Sequence, residues 1–170
     1  MVHDPTNQND LTWLVDGGVT SPPGFLAGAS YGGIKNYGDE PRLDVGILAG
    51  IENCITAGMF TKSSVTGWTV QRSKKLLQDG ESFRGVVVNS GNANTMTGEQ
   101  GRLDAGEMAS LASVALETSE DLILNASTGV IGRAMPMNKL KNAIDAIQLN
   151  QDGGDDFARS IMTTDTASKQ

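Results

Sequence analysis

The sequence predicts a single domain of mixed α/β architecture, in which helices and strands pack in layers. Two strand-like runs, "GVVVN" and "LILN", are each followed by a polar loop and then by an amphipathic helix pattern. Glycine-broken apolar segments precede these two units, and another short helix pattern follows them. This order of elements favours helices packed on a sheet.

Length and composition support one compact domain. At 170 residues the chain is long enough for one ordinary domain but not for two. Hydrophobic residues make up 38% of the chain and aromatic residues only 5%, and 21 residues are glycine. We therefore expect many tight turns around a core of small aliphatic side chains. We assign the polar residues 1–22 to an N-terminal tail and residues 23–170 to the domain.

Charge and hydropathy exclude two classes of partner. A formal net charge of −7, without any run of Lys or Arg, would repel a phosphate backbone, so we expect no nucleic-acid partner. No apolar stretch reaches the roughly 20 residues that span a bilayer. The N-terminus also lacks the basic start and apolar centre of a signal peptide. We expect no membrane association and a cytoplasmic location.

Cys54 is the only cysteine and His3 is the only histidine. A lone cysteine forms no intrachain disulfide and no cysteine-rich zinc site, so we expect no metal and interpret Cys54 as a small buried apolar side chain. His3 lies in a polar segment that we expect to be frayed. Serine–histidine and cysteine–histidine catalysis are therefore excluded unless another chain supplies the base.

The first half of the chain predicts strands and one helix. Apolar segments on both sides of Gly38 and Asp39 suggest a two-stranded hairpin. The segments "DVGILAG" and "NCITAGMFT" continue as short buried strands. The segment "VQRSKKLLQDG" predicts a short helix that ends at Gly80.

A strand and a longer helix are predicted next. Val86–Val88 predicts a strand that stops at Asn89 and enters a loop rich in glycine and asparagine. The following helix has Asp104 and Glu107 in the spacing of a capping box at its start. Three- and four-residue spacing predicts its buried face, which comprises Met108, Leu111, Ala112, Ala115 and Leu116.

The last third of the chain repeats the strand–loop–helix order. In "LILNASTGVIG" a strand runs into a loop, and "MNKLKNAIDAIQ" predicts a helix that begins after Pro136. Met135 and Met137, on either side of that proline, are interpreted as packing residues. A shorter helix in "DDFARSIM" should end before the threonines of "MTTDT". The buried face of the "MNKLKNAIDAIQ" helix is predicted to comprise Leu140, Ala143, Ile144 and Ile147.

The two loops, "NSGNANTMTGEQG" and "NASTGVIG", allow three interpretations. Backbone N–H groups freed by glycine could bind an anion or stabilise a developing oxyanion. Neither loop contains a G-x-G-x-x-G or G-x-x-x-x-G-K-[ST] motif, and the acidic net charge disfavours phosphate. Taken singly, each loop is best interpreted as a turn, in which asparagine side chains bond to nearby backbone.

Taken together, the segments resemble a known family. "PPGFLAGASYGGIK", "TAGMFTKSSV", "VVVNSGNANTMTGEQG", "NASTGVIGRAMPMNKL" and "SIMTTDT" occur in that order. Their order and spacing resemble the N-terminal α segment of the ornithine acetyltransferase family, also called bifunctional glutamate N-acetyltransferase. The resemblance runs from about Pro22 to the C-terminus. Each piece is weak alone, and the joint occurrence of "VNSGNAN", "STGVIG" and "MTTDT" makes it specific.

The resemblance implies a self-processing fold of the DmpA/ornithine acetyltransferase type. A precursor of this family cuts itself before a threonine, which becomes the first residue of a separate β chain and the nucleophile. A threonine activated by its own α-amine needs no histidine, which agrees with the composition. The implied assembly is a heterotetramer of two α and two β chains, with this chain as the α portion of one catalytic domain.

The resemblance also implies the reaction and its site residues. N-acetylornithine acylates the threonine, ornithine leaves, and glutamate takes the acetyl group. Thr128 through its hydroxyl and Gly129 through its backbone N–H would stabilise the oxyanion. Thr163, or Thr164 beside it, would bind substrate. No cofactor is implied, apart from acetyl-CoA as a second acetyl donor, whose use the sequence leaves open.

Some features depart from the family pattern. Thr95 and Met96 stand where small residues and a cysteine are usual, and Ser30 and Tyr31 stand where smaller residues are usual. The lysine segment and the cleavage threonine of the family are not in these 170 residues. We expect a natural α chain or a fragment of a longer gene, inactive alone in either case. The alternatives are an aminopeptidase-like hydrolase of the same architecture and a nonenzymatic anion- or nucleotide-binding domain.

Overall fold

A computed structural model of the protein describes Leu14, residues 17–35 and residues 41–168. One short 3₁₀ turn, Glu120–Leu122, precedes the last strand. The four strands are β1 (Phe25–Ser30), β2 (Val45–Ile55), β3 (Ser82–Asn92) and β4 (Ile123–Val130). The four α-helices are α1 (Trp68–Asp79), α2 (Gly98–Ala115), α3 (Met137–Ala146) and α4 (Gly154–Ser160).

The strands form one sheet in the order β1-β2-β3-β4. The first three are antiparallel neighbours, and β4 pairs with β3 in parallel. Ser30 is opposite Val45, Val45 opposite Asn89, and Asn89 opposite Ser127. The end of β1, the start of β2 and the ends of β3 and β4 therefore meet at one end of the sheet, which we call the Asn89 end. The mixed α/β class and the predicted hairpin are both confirmed.

The core lies between one face of the sheet and helices α2 and α3. Val45, Ile47 and Val87 point from the sheet into this core, where Met108 of α2 meets them. The buried face predicted for α3 is confirmed, because Leu140, Ala143 and Ile144 are at most 1% exposed and Ile147 packs against them. Met135 and Met137 also pack against this core, as predicted.

Helix α4 lies on the opposite face of the sheet. Val45 and Ile47 point into the core, and successive residues of a strand point to opposite faces of the sheet. Gly46, between them, therefore lies on the face away from the core. A Cβ atom on Gly46 would collide with Oγ of Ser160 and lie 2.9 Å from the ring of Phe157, so α4 packs directly on this strand. We call this side of the sheet the α4 face.

Helix α4 covers only part of the α4 face. Leu48, Val86, Val88 and Leu124 on the same face remain half-buried. An apolar groove of about 200 Å³ crosses this region, and its lining includes Phe25, Leu48, Val86 and Leu124. Within the described residues, no helix is long and apolar enough to cross a membrane.

Strands β3 and β4 are longer than predicted. β3 continues past Asn89 to Asn92, and β4 includes the whole segment Ser127–Val130 that was predicted to be a loop. The reason is their parallel pairing, which extends to Asn92 opposite Val130. Pairing with a strand that is distant in sequence keeps these residues in an extended conformation, although their composition favours turns.

The start of α2 was also predicted wrongly. The helix begins at Gly98, so Asp104 lies well inside it, is 3% exposed and accepts a hydrogen bond from Gln100 at 2.8 Å. Asp104 and Glu107 therefore form no capping box. On the predicted buried face, Met108 and Ala112 are fully buried, Leu116 is 9% exposed and Leu111 packs against the core from its edge. Ala115 is exposed, contrary to the prediction.

The segment "NCITAGMFT" is not a buried strand. Its first residues end β2, and Ile55 and Met59 are 92% and 99% exposed. The register between β2 and β3 shifts between Ala49 and Cys54, so this end of β2 leaves the regular ladder. Cys54 is consequently only partly buried, and its Sγ lies 3.4 Å from the carbonyl oxygen of Glu52.

Two predicted helix ends are confirmed. Helix α1 ends at Asp79, and the N–H of Gly80 bonds to the carbonyl of Leu76 at 2.9 Å. Helix α4 ends at Ser160, before the threonines. The Gly38–Asp39 turn and His3 lie outside the described residues.

We predict that Leu140→Ala lowers the free energy of unfolding by about 2–5 kcal/mol, because it leaves a cavity between α3 and the sheet. Chemical denaturation measures the change. Val114→Ala is the control: Val114 lies on α2 and is 76% exposed, so its truncation should cost at most about 0.5 kcal/mol. Equal effects of the two substitutions would contradict the assignment of the core.

Candidate active site

Thr128 and Gly129 lie in β4 at the Asn89 end of the sheet. They stand opposite Ser90 and Gly91 of β3. The side chain of Asn125 points to the core face, where its Nδ2 bonds to the carbonyl of Ala105 in α2 at 2.7 Å. Because side chains alternate along a strand, Thr128 lies on the α4 face. Thr128 is half-buried and Gly129 is exposed.

Glycine is required at position 129. Its φ is +133°, which L-residues rarely adopt. A Cβ atom there would collide with the carbonyl carbon of Gly91 and lie 2.5 Å from the amide nitrogen of Asn92. Gly91 is constrained in the same way, since its φ is +101° and a Cβ atom would lie 2.8 Å from the amide nitrogen of Lys35. Three backbone segments are thus stacked at this end of the sheet.

The outer edge of β4 contacts helix α1. The N–H and C=O of Asn125 both bond to Oγ of Ser73 in α1. Farther along the strand, the carbonyl of Val130 accepts the N–H of Ala93, which follows β3. Gly129, next to Val130, is exposed.

The asparagines of "NSGNAN" are engaged with backbone. Nδ2 of Asn89 bonds to the carbonyl of Asn92, and Oδ1 of Asn92 accepts the N–H of Asn94, both at 3.0 Å. Asn94 has a φ of +48° and its Nδ2 bonds to the carbonyl of Gly101 at 2.9 Å. These contacts disfavour a phosphate cradle, and the turn interpretation holds only beyond Asn92, where β3 ends.

Thr163 and Thr164 follow the end of α4. Thr163 is half-buried, and its N–H donates to the carboxylate of Asp165 at 3.1 Å. Thr163 lines a cavity of about 320 Å³, whereas Thr164 is exposed and does not line it. Neither Thr128 nor Gly129 lines this cavity. Its walls comprise Lys35, Pro41, Arg42, Leu43, Arg159, Met162, Thr163 and Asp165.

Ser90 joins the two groups of predicted site residues. It lies beside Thr128 in the sheet, and its Oγ donates to the carbonyl of Ser160 at 2.5 Å. Ser160 is three residues before Thr163. The Thr128 strand and the Thr163 segment are therefore linked through one buried side chain of β3.

Asp44 and Lys35 are two buried charged residues that the sequence did not identify. The Asp44 carboxylate is fully buried and accepts the N–H groups of Gly32, Ile34 and Lys35 at 2.6, 2.6 and 3.0 Å. Nζ of Lys35, which is 7% exposed, donates to the carbonyl of Leu43 at 2.8 Å. Lys35 ends the segment "PPGFLAGASYGGIK", which contributes to the family resemblance, but neither that resemblance nor the residue spacing assigned a role to Lys35 or Asp44.

Burial lowers the pKa of Lys35, because removal from water penalises the ammonium. The negative charge of Asp44 opposes this effect in part. Within the described ranges, no group of three or more His, Cys, Asp or Glu side chains could hold a metal ion.

Gly129→Ala should lower the free energy of unfolding by about 2–4 kcal/mol, through strain at positive φ and through the collision with β3. The matched control is Gly106→Ala in α2, where a Cβ atom would meet nothing within 4 Å. That substitution should stabilise the helix by up to about 1 kcal/mol. Thermal unfolding of both variants compares them, and a Gly129→Ala protein as stable as the unmodified one would refute the close approach of β4 to β3.

Known proteins resemble this chain in sequence. The ArgJ family model matches residues 26–170. "Arginine biosynthesis bifunctional protein ArgJ" of Dehalococcoides mccartyi is 45% identical over 163 residues, which cover 96% of this chain and 40% of the relative. "Glutamate N-acetyltransferase" of Methanocaldococcus jannaschii is 40% identical and covers 92% of this chain and 38% of the relative. The chain thus spans about 40% of the length of these curated relatives.

Two solved structures share the fold. Ornithine acetyltransferase of Mycobacterium tuberculosis, complexed with ornithine, matches with a TM-score of 0.79 at 34% identity, covering 88% of this chain and 81% of that one. The arginine biosynthesis bifunctional protein ArgJ of Bacillus halodurans matches with a TM-score of 0.83 at 29% identity, covering 89% of this chain and 78% of that one. The resemblance first seen in the sequence motifs is confirmed, and the chain belongs to the ArgJ family.

Proposed function

We propose that this chain is the α portion of an enzyme that transfers an acetyl group from N-acetylornithine to glutamate in arginine biosynthesis. Family membership supports the reaction class. The names of the relatives support the substrates, since one is a glutamate N-acetyltransferase and one solved relative holds ornithine.

The proposed nucleophile is the first residue of a β chain, a threonine whose own α-amine accepts its hydroxyl proton. The hydroxyl oxygen attacks the acetyl carbonyl carbon of N-acetylornithine. The resulting tetrahedral intermediate collapses when the C–N bond breaks, and the ornithine amine leaves with the proton. The amine of glutamate then attacks the carbonyl carbon of the acetyl-threonine ester. The ester C–O bond breaks, N-acetylglutamate is released, and the threonine oxygen regains a proton, which regenerates its hydroxyl.

Thr128 and Gly129 are the proposed oxyanion donors in both half-reactions. The observation that carries this assignment is the position of the two residues, which lie together at the end of β4 opposite Ser90 and Gly91, with Gly129 exposed. A donor that is already fixed in place pays little reorganisation when charge develops on the acetyl oxygen. Because a backbone amide and the adjacent hydroxyl lie on one rigid strand end, their geometry is set before substrate arrives.

Thr163 is the proposed substrate-binding residue. It lines the cavity at the end of α4, whereas Thr164 is exposed outside it. The cavity wall also carries Arg42 and Arg159. Cationic side chains in this wall are suited to the carboxylate of an amino acid.

Two observations support a second chain. The α4 face leaves Leu48, Val86 and Leu124 half-buried around an apolar groove, which is the kind of surface that a partner covers. The chain also matches about 40% of the curated relatives but about 80% of the chains in the two solved structures. Solved chains much shorter than the full-length relatives are expected if the precursors are divided into two chains.

The reaction is tested on the complete enzyme, expressed as the full-length precursor, with N-acetylornithine as donor. N-acetylglutamate should form only when glutamate is present, with one ornithine released for each acetyl group transferred. Isotope-labelled acetyl and mass spectrometry follow both products. Release of free acetate at the same rate with and without glutamate would instead support a hydrolase.

Thr128→Ala should lower kcat on the order of 100-fold, with a much smaller change in KM for N-acetylornithine, because the contact strengthens in the transition state. Activity is normalised to the amount of cleaved enzyme, so that a defect in self-processing is not counted as a defect in turnover. Thr118→Ala, just after α2, is the control and should leave kcat unchanged. An unchanged kcat in Thr128→Ala would remove this residue from the mechanism.

A further inference from the structure

We propose that Lys35 is a positioning residue, which holds the segment Ser160–Thr163 against the Asn89 end of the sheet and so sets the place of Thr163 relative to Thr128. The proposal rests on the proposed function for what Thr163 and Thr128 do. Four sets of contacts support it.

The Lys35 ammonium ties two distant segments together. Its Nζ donates to the carbonyl of Leu43 at 2.8 Å and to that of Arg159 at 3.4 Å. Arg159 lies in the last turn of α4, where a positive charge is favourable, and its carbonyl also accepts the N–H of Met162 at 3.3 Å. Arg159 is 124 positions away from Lys35 in the chain.

The backbone of Lys35 is itself fixed. Asp44 accepts the N–H groups of Gly32, Ile34 and Lys35, so the segment from Gly32 to Lys35 is wrapped around one buried carboxylate. A carboxylate that accepts three backbone hydrogen bonds is satisfied without the ammonium. The ammonium is attracted by the charge of Asp44, but it makes its hydrogen bonds to the carbonyls of Leu43 and Arg159.

The fixed segment also packs on the strand beside the proposed oxyanion donors. The backbone of Ile34 and Lys35 approaches Gly91 so closely that a Cβ atom on Gly91 would lie 2.8–3.0 Å from it. Gly91 in turn is packed against Gly129. The backbone of Lys35 therefore contacts Gly91, which packs against Gly129 of β4. The Lys35 ammonium bonds to the end of α4.

Ser90 makes a second connection between the same elements. Its N–H bonds to the carbonyl of Asp44 at 2.8 Å, and its Oγ bonds to the carbonyl of Ser160. Lys35 and Ser90 thus hold two successive carbonyls at the end of α4, those of Arg159 and Ser160. Thr163 follows three residues later and inherits its position from this anchoring.

Burying an ammonium is unfavourable, and burial lowers the pKa of Lys35 accordingly. Because the desolvation cost offsets the favourable contacts of the ammonium, Lys35 contributes less to the free energy of unfolding than its hydrogen bonds suggest. Lys35→Met keeps the aliphatic stem and removes the charge together with its desolvation cost. This variant should therefore fold, while the end of α4 loses its anchor.

The experiment compares Lys35→Met with Lys139→Met in the complete enzyme. Nζ of Lys139 also donates to this part of the backbone, to the carbonyl of Gly33 at 2.7 Å, but Lys139 lies on α3 and is exposed. The readouts are kcat, KM for N-acetylornithine, the melting temperature, and hydrogen–deuterium exchange of the amides in residues 160–165.

In Lys35→Met we expect KM for N-acetylornithine to rise by about tenfold, the loss expected for one charged hydrogen bond, with a smaller change in kcat. Exchange in residues 160–165 should accelerate while the rest of the chain stays protected. Lys139→Met should change neither quantity. Ser90→Ala, which removes the second connection, should change KM and exchange in the same direction.

Two results would overturn the proposal: unchanged KM and exchange in Lys35→Met, or a fall in melting temperature with exchange accelerated throughout the chain, which would mark Lys35 as a general stability residue. If Lys35→Met fails to fold, Ser90→Ala decides by the same two readouts. Failure of the proposed function is separate, because it appears as absent acetyl transfer in the unmodified enzyme, and the exchange measurement does not depend on turnover.

Discussion

The close approach of β3 and β4 at Gly91 and Gly129 is the constraint on which the rest of this end of the molecule depends. Both residues adopt positive φ, and neither leaves room for a side chain. The contact brings the strand end that carries Thr128 next to the strand that carries Ser90. From Ser90 and Gly91 the same stacking extends to Asp44 and to Lys35. Close backbone packing therefore sets distances here that flexible side chains could not set.

The energetic organisation of the molecule divides at the sheet. One face is sealed by α2 and α3 with a core of aliphatic side chains, which supplies the hydrophobic stabilisation. The α4 face has a single short helix over part of it, and this is the side on which Thr128 and the Thr163 cavity lie. Polar and charged residues are buried at the Asn89 end, where backbone carbonyls and N–H groups satisfy most of them. The hydrophobic core and the proposed site residues thus lie on different sides of the same sheet.

Local patterns predicted the elements whose structure depends on their own residues. The buried face of α3 follows from the spacing of Leu140, Ala143 and Ile144, and Gly80 marks the end of α1. Prediction failed where the conformation of a segment depends on residues that are distant in sequence. Asn89 was expected to end a strand, but pairing with β4 continues it, and Asp104 resembled a helix start although α2 begins six residues earlier. Family motifs pointed to Thr128, Gly129 and Thr163, whereas Lys35 escaped notice because its partner Arg159 is 124 residues away.

The Asp44 contacts give the glycine-rich segment "YGGIK" a further meaning. Backbone N–H groups converging on a carboxylate form an anion cradle of the kind considered for the later loops, but here the anion belongs to the protein. A carboxylate held in place by the fold acts at an effective concentration far above that of any free ion in solution. Buffer phosphate, chloride or a substrate carboxylate therefore cannot displace it. The chain therefore holds a permanently occupied anion cradle two strands away from Gly129. The oxyanion site proposed at Gly129 would differ from it, because the charge there would last only as long as a reaction intermediate.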